Sequence, residues 1–310
     1  MRALVTGAGG FIGCALTRRL LDRGDEVHVV VRPGSSSWRV RALSRASIHR
    51  GDLVDAAWTA SVIQRVQPDV VFHCAAHGAY SFDRDIDAIV TTNILGTLNV
   101  LRAMSAGGCA LMVNSGSSSE YGDIDHAPAE DEPARPNSVY AASKAAATWL
   151  GAMAERELGV RVVTLRLYSV YGPFEDPRRL MPTLCAHARR GLLPPLAEPW
   201  VVRDYIYIDD VVDAYVLAST ASVARIYNVG SGTECSLRDL VETARRVFGV
   251  TAEPRFGAYP NRDWDVRCWR ADPSAIASEL GWAPRVDLED GLRRFADWMG
   301  EQPEVYTLSV

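Results

Sequence analysis

Two side chains four positions apart, Tyr140 and Lys144, have the chemistry to move a proton. They lie in Tyr140-Ala141-Ala142-Ser143-Lys144, and on a helix that spacing puts both on one face. An ammonium beside a phenol favours the phenolate, so the tyrosine would ionise below its free value of about 10. Such a phenol can exchange a proton with an alcohol or sugar hydroxyl near neutral pH. The preceding Pro136-Asn137-Ser138 and the alanines that follow predict the helix. Taken alone, the pair is better explained as chance on a solvated helix face. The surrounding chain decides otherwise.

The elements that would position this pair begin at residue 2. A short apolar strand, residues 2–6, runs into Gly7-Ala8-Gly9-Gly10-Phe11-Ile12-Gly13 and then a helical stretch from Cys14. Glycines let a backbone turn tightly and approach phosphates, and the helix start offers free N–H groups and a positive dipole end. Strand, glycine turn and helix together predict a dinucleotide pyrophosphate site. A second strand, Val27 to Val31, ends without the acid that usually accepts from the adenosine ribose. Arg32 follows it instead. With the next serines and Arg39 it could hold a 2′-phosphate, a weak lean towards NADP(H) that an exposed loop arginine would explain equally well.

Further strands are predicted near Ala46–His49, at Val70 to Ala76, at Ala110 to Asn114 and from Arg161 to Val170, with a long helix over residues 87–104. Ser115-Gly116-Ser117-Ser118-Ser119 follows a strand, and at the carboxyl edge of a parallel sheet that is where ligands bind. After Tyr171-Gly172-Pro173 the alternation stops, and five prolines between 174 and 203 mark a cap or loop region with a basic helix. The expected fold is α/β, a Rossmann-type doubly wound parallel sheet with a smaller, discontinuous C-terminal cap. Residues 1–172 would form the dinucleotide domain, receiving segments near 204–230, and 173–310 mainly the substrate cap.

A net charge of −5 over 310 residues, with no basic tract, gives no reason to expect nucleic acid. No apolar run approaches the ~18 residues of a spanning helix, so no membrane partner is expected. Met1-Arg2 leads straight into a strand, which leaves no room for a signal peptide. Six scattered cysteines without a C-x-x-C pair suit a reduced, cytoplasmic protein, and no ligand spacing suggests a metal.

The ordered set of motifs resembles the extended short-chain dehydrogenase/reductases, specifically the nucleotide-sugar epimerase/dehydratase group, to about Trp298. It comprises T-G-x-x-G-x-x-G at Thr6 to Gly13, the serine run before Tyr121-Gly122, Tyr140 to Lys144, Val170 to Pro173, Arg203-Asp204-Tyr205 before Asp209-Asp210, Arg262 to Asp265, Ala271-Asp272 and Leu280-Gly281-Trp282. The resemblance implies an NAD(P) cofactor and a nucleotide diphosphate sugar as partner, and a homodimer. Gly7, Gly10, Phe11, Ile12 and Gly13 would hold the pyrophosphate, and Asp52 and Leu53 would meet adenine. Ala75, Ala76, Asn93, Ser115 and Tyr168 would line the cofactor path. Lys144 would bind the nicotinamide ribose and tune Tyr140, while Ser117 would hydrogen-bond the reacting hydroxyl. Ser118 and Ser169 would face the sugar. Arg203 and Arg262 would grip the diphosphate, and Asp265 its ribose.

Departures from the family pattern narrow the chemistry. The 4,6-dehydratases carry Thr-Asp-Glu where this chain has Ser117-Ser118-Ser119, and serines cannot replace a carboxylic acid and base. Related decarboxylases keep the Glu at the position of Ser119. Glu120 stands one residue too late, and a one-residue step along an extended segment reverses the side chain. Elimination and decarboxylation are therefore disfavoured. Ser169 replaces an asparagine usual near the substrate, which leaves the sugar open. The expected activity is hydride transfer at C4 of a sugar nucleotide, as an epimerase through a 4-keto sugar. An NADPH-dependent 4-keto-sugar reductase is the alternative, and a non-catalytic dinucleotide sensor a more distant one.

Overall fold

The computed structural model describes residues 1–33, 35, 38–80, 85–261, 265–302 and 304–306. Its seven central strands are β1 (Arg2–Thr6), β2 (Glu26–Val31), β3 (Ser47–Arg50), β4 (Val70–His73), β5 (Leu111–Ser117), β6 (Arg161–Leu167) and β10 (Arg225–Val229). Four short strands lie outside that sheet: β7 (Ser169–Tyr171), β8 (Val202–Arg203), β9 (Tyr205–Tyr207) and β11 (Cys235–Ser236). The sheet is parallel throughout, in the order β10-β6-β5-β4-β1-β2-β3. Chain order reverses beside β1, where the crevice between β1 and β4 opens at their carboxyl ends. That is the switch point at which doubly wound sheets bind ligands.

The strand sequences follow from burial on both faces. In β1, Ala3 and Val5 point into one apolar layer and Leu4 into the other; in β4, Val70 and Phe72 oppose Val71 in the same way. An unbroken apolar run is what a strand covered by helices on both sides requires. The Phe11–Asp22 and Ile208–Ala218 helices pack together on the first face. The Ala56–Val66, Thr97–Gly107 and Val139–Leu158 helices cover the second.

Two predicted elements differ in ways that concern the site. The run expected as one strand from Arg161 to Val170 is broken at Tyr168: β6 stays in the main sheet, while β7 pairs with β9. The Tyr168 N–H bonds the Val229 carbonyl, and the Ser169 N–H bonds the Asp204 carbonyl, so the chain changes partner within two residues. The helix expected over 87–104 is instead Ile86–Val90, a π-helical segment Thr91–Gly96, and Thr97–Gly107. A π-turn inside an α-helix commonly marks a functional position, and this one contains Asn93.

Segments after residue 172 also depart in detail. The helix there, Leu180–Ala188, is not itself basic: Arg178, Arg179, Arg189 and Arg190 flank it, and Pro182 sits in its first turn. Pro182 is tolerated because the N–H groups of a first turn have no intrahelical acceptor. No helix among the described residues is long and apolar enough to cross a membrane.

Candidate active site

The glycine turn is built for close approach. Gly7 has φ +69°, which favours glycine, and a Cβ there would lie 2.5 Å from the Ala75 nitrogen. The turns after β1 and β4 therefore touch, backbone against backbone, at the switch point. A Cβ on Gly13 would meet the Gly7 carbonyl oxygen at 2.4 Å. Gly10 is the N-cap of the Phe11–Asp22 helix and offers no side-chain cap. The helix start keeps its N–H groups for an anion, and adding side chains would fill the cradle. These residues fit a dinucleotide pyrophosphate.

Asn93 lies on the path from that cradle towards Tyr140. Its side chain is buried and accepts from the His77 N–H at 2.7 Å; its amide donates to the His77 carbonyl and to Ser143 Oγ. It thereby ties the loop after β4 to the Tyr140 helix. Leu53 is buried, and its carbonyl accepts from Asn99; Asp52 is exposed and caps the Val54 N–H at 3.0 Å. Ser115 is enclosed: its hydroxyl donates to the His73 carbonyl and hydrogen-bonds Tyr215. Arg32 is exposed at the end of β2. Arg39 does not stand beside it as a phosphate ligand. It is buried, its Nε donates to the Phe174 carbonyl at 2.7 Å, and its guanidinium lies over Trp38. Ser36, also considered for that role, lies outside the described residues.

Tyr140 and Lys144 project from the Val139–Leu158 helix, which Ser138 caps by accepting from the Ala141 N–H and Gly159 ends in a left-handed turn. Lys144 is buried. Ser117 ends β5, and its hydroxyl comes close enough to the Tyr140 phenol to act on its ionisation. The Ser117 hydroxyl also meets Ser119 Oγ at 2.7 Å. The structure thus brings Ser117, Tyr140 and Lys144 to one place. It also corrects one expectation about them. In the chain by itself the Tyr140 phenol is not depressed; burial pushes it up to about 12, against a lowering from the nearby Ser117 hydroxyl, with Glu120 raising and Arg179 lowering it. Burial also pushes Lys144 down, against the charges of Glu120 and Cys74. Desolvation outweighs the neighbouring charges for both groups.

The residues expected to meet the substrate come from several segments. Ser118 and Tyr168 share a small cavity with Tyr121, Ile124 and Trp269. Tyr168, expected along the cofactor path, turns its ring edge-on to Trp269 on the cap side, and its hydroxyl is buried without a hydrogen-bond partner. Ser169 opens β7 and pairs with Tyr205. Arg203 donates to Asp265 at 2.6 Å and lies over the Trp269 ring. Arg262 lies outside the described residues, as do Asp263 and Trp264.

Sequence reasoning missed four contributors. Arg179 stacks over Tyr80, and its charge acts on Tyr140 and Tyr205. Glu120 and Arg166 form a buried ion pair behind Ser117. Only the position of Glu120 beside the serine run hinted at the pair. Among the described residues there is no cluster of histidine, cysteine and carboxylate side chains able to hold a metal.

Comparison with known proteins shows the family. The profile of the NAD dependent epimerase/dehydratase family matches residues 3–230. The chain is 33% identical to a UDP-glucose 4-epimerase of Mycolicibacterium smegmatis, over 96% of this chain and 98% of that one. It is also 33% identical to a dTDP-glucose 4,6-dehydratase of Streptomyces griseus, over 95% and 93%. Among solved structures it is similar to the UDP-glucose 4-epimerase of Thermotoga maritima with UDP-glucose, with TM-score 0.90, 29% identity and coverage of 97% and 99%. It is similar as well to the UDP-glucuronic acid 4-epimerase of Bacillus cereus with UDP-glucuronic acid and NAD, with TM-score 0.87, 26% identity and coverage of 97% and 100%. On fold, motif order and these similarities, the chain belongs to the NAD-dependent epimerase/dehydratase family, the nucleotide-sugar branch of the extended short-chain dehydrogenase/reductases.

Proposed function

We propose that this chain is a nucleotide-sugar 4-epimerase, with a UDP-linked hexose or uronic acid as the first substrates to test. The observation that carries the reading is the meeting of Ser117, Tyr140 and Lys144 at the carboxyl edge of β5, beside the glycine cradle. Bound over Gly7 to Gly13, a nicotinamide dinucleotide supplies the hydride acceptor and donor. Tyr140 takes the proton of the C4 hydroxyl, Ser117 hydrogen-bonds that oxygen, and the Lys144 ammonium on the same helix face offsets part of the burial that disfavours the phenolate. After the 4-keto sugar rotates, so that hydride returns to C4 on its other face, Tyr140 gives the proton back to the C4 oxygen. Arg203, Arg262 and Asp265 hold the nucleotide end. Ser118 and Ser119 provide no carboxyl group for eliminating water, which favours epimerisation over dehydration.

A second reading, net reduction of a 4-keto sugar by NADPH, is favoured by Arg32 at the end of β2, where an NAD site usually has an acid. The family and the NAD-bound relatives favour NAD. A homodimer is the assembly we infer. Ile86, Val90, Leu95, Val139, Trp149 and Met153 are large, apolar and exposed on helices that pack side by side, with Trp149 51% exposed. A patch of this kind on one face favours burial against a second copy.

The test is incubation of the purified protein with UDP-glucose deuterated at C4, without added cofactor. Interconversion of the two 4-epimers with the label kept at C4 supports the epimerase. Stoichiometric consumption of added NADPH by a 4-keto sugar nucleotide, with no epimerisation of the hydroxyl sugar, assigns the reductase instead.

A further inference from the structure

Glu120 is fully buried, and its three strongest contacts reach three different elements. Oε1 accepts from the Ser117 N–H at 2.8 Å and from the Thr148 hydroxyl at 3.0 Å; Oε2 accepts from Arg166 Nε at 2.9 Å. Thr148 lies four residues beyond Lys144, which lies four beyond Tyr140, so the three side chains share one helix face. One carboxylate therefore joins the backbone of Ser117 to the helix that carries the phenol and the ammonium. Arg166 stands in register with Gly116 on the neighbouring strand, and a Cβ on Gly116 would fall 3.0 Å from Glu120 Oε1. The chain leaves room for this carboxylate directly behind the candidate catalytic serine. The pair is not a surface ornament: Arg166 is 1% exposed, bonds the Glu130 carbonyl and lies over the Tyr121 ring.

We propose that Glu120 is a positioning residue for the reaction, locking Ser117 to the Tyr140 helix and presenting the negative charge that Lys144 faces. This rests on the reading of Ser117, Tyr140 and Lys144 given above. A buried ion pair is weak evidence for stability, since desolvation offsets its attraction, so geometry and electrostatics are the uses it fits. Tyr140 is faced by Ser117 and Glu120 from the end of β5, by Tyr80 from the loop after β4, by Arg179 ahead of the Leu180–Ala188 helix and by Tyr215 from the Ile208–Ala218 helix. Lys144 is faced by Glu120 and by Cys74 and His73 at the end of β4. The Glu120 carboxylate acts on both, and it raises both.

The experiment separates this role from a merely structural one. Glu120→Gln keeps an acceptor for Ser117 and Thr148 but removes the charge. Glu120→Gln with Arg166→Met removes both members, should the single variant fail to fold. In protein saturated with NAD, ionisation of Tyr140 is followed by NMR of tyrosine labelled at Cζ, with Tyr140→Phe assigning the signal. The midpoint should fall by about one pH unit in Glu120→Gln, and in the same direction in the double variant. Thr148→Val, which cuts only the link to the helix, should lower kcat on UDP-glucose several-fold with KM unchanged, and Thr148→Ser should restore it. An unchanged Tyr140 midpoint in the folded Glu120 variant overturns the proposal. So does Thr148→Val turning over like the parent. A parent protein inactive on sugar nucleotides counts against the functional reading alone, because the titration still decides the role of Glu120.

Discussion

A Cβ built on Gly13 would lie 2.4 Å from the carbonyl oxygen of Gly7, so the first turn of the Phe11–Asp22 helix rests directly on the turn after β1. Neither residue has space for a side chain, and Gly7 also needs its left-handed φ, which costs other residues roughly 1–3 kcal/mol. Gly7→Ala and Gly13→Ala should each weaken dinucleotide binding by about tenfold or more. Calorimetry with NAD and a thermal melt of the same samples checks this. Affinity equal to the parent's in both variants would contradict the cradle.

Tyr140→Phe keeps the ring and removes the proton carrier. Turnover of the true sugar nucleotide should fall by roughly 10²–10⁴, while NAD affinity and melting temperature stay near those of the parent. Near-normal turnover would remove Tyr140 from the acid/base role.

Arg203 donates to Asp265 at 2.6 Å across 62 residues of sequence. If the pair serves the nucleotide end of the substrate, Arg203→Ala should weaken UDP binding by about tenfold, with a small change in melting temperature. A large loss of stability with unchanged UDP affinity would assign the pair to holding the cap instead.

Arg32 carries the lean towards NADP(H). Arg32→Ala should raise the dissociation constant of NADPH and leave that of NADH unchanged if the lean is right. Equal affinities of the parent for the two dinucleotides would end it.

Glu175 gives a pH prediction. It is buried, its Oε2 has no hydrogen-bond partner, and burial pushes its carboxyl up to about 8 despite Arg179 at 3.1 Å. An unfolded glutamate ionises near 4.5. Between those values the folded chain holds a proton that the unfolded chain has released. Stability from this group is therefore full below about 4.5 and is lost as pH rises through about 8. Glu175→Gln stays neutral throughout, so its melting temperature should gain on the parent's as pH rises from 5 to 9. A constant difference across that range would mean that Glu175 is already ionised in the fold.

The sequence by itself determined the family, the parallel sheet and the glycine cradle, because each is written in local order. Apolar runs mark strands buried on both faces, glycines between strand and helix mark a tight phosphate turn, and the four-residue spacing of Tyr140 and Lys144 becomes one helix face whatever surrounds it. What depends on contacts between distant segments was decided only by the tertiary structure. Arg39, close to Arg32 in sequence, turns away to the Phe174 carbonyl, 135 residues on. Tyr168 passes to the cap side because the chain changes sheets between β6 and β7. Tyr140 rises to about 12 because burial is a property of everything packed around it, which no spacing of two residues can express. Glu120, one position beyond the serine run, joins Ser117, Thr148 and Arg166 because β5, β6 and the Tyr140 helix converge on its carboxylate.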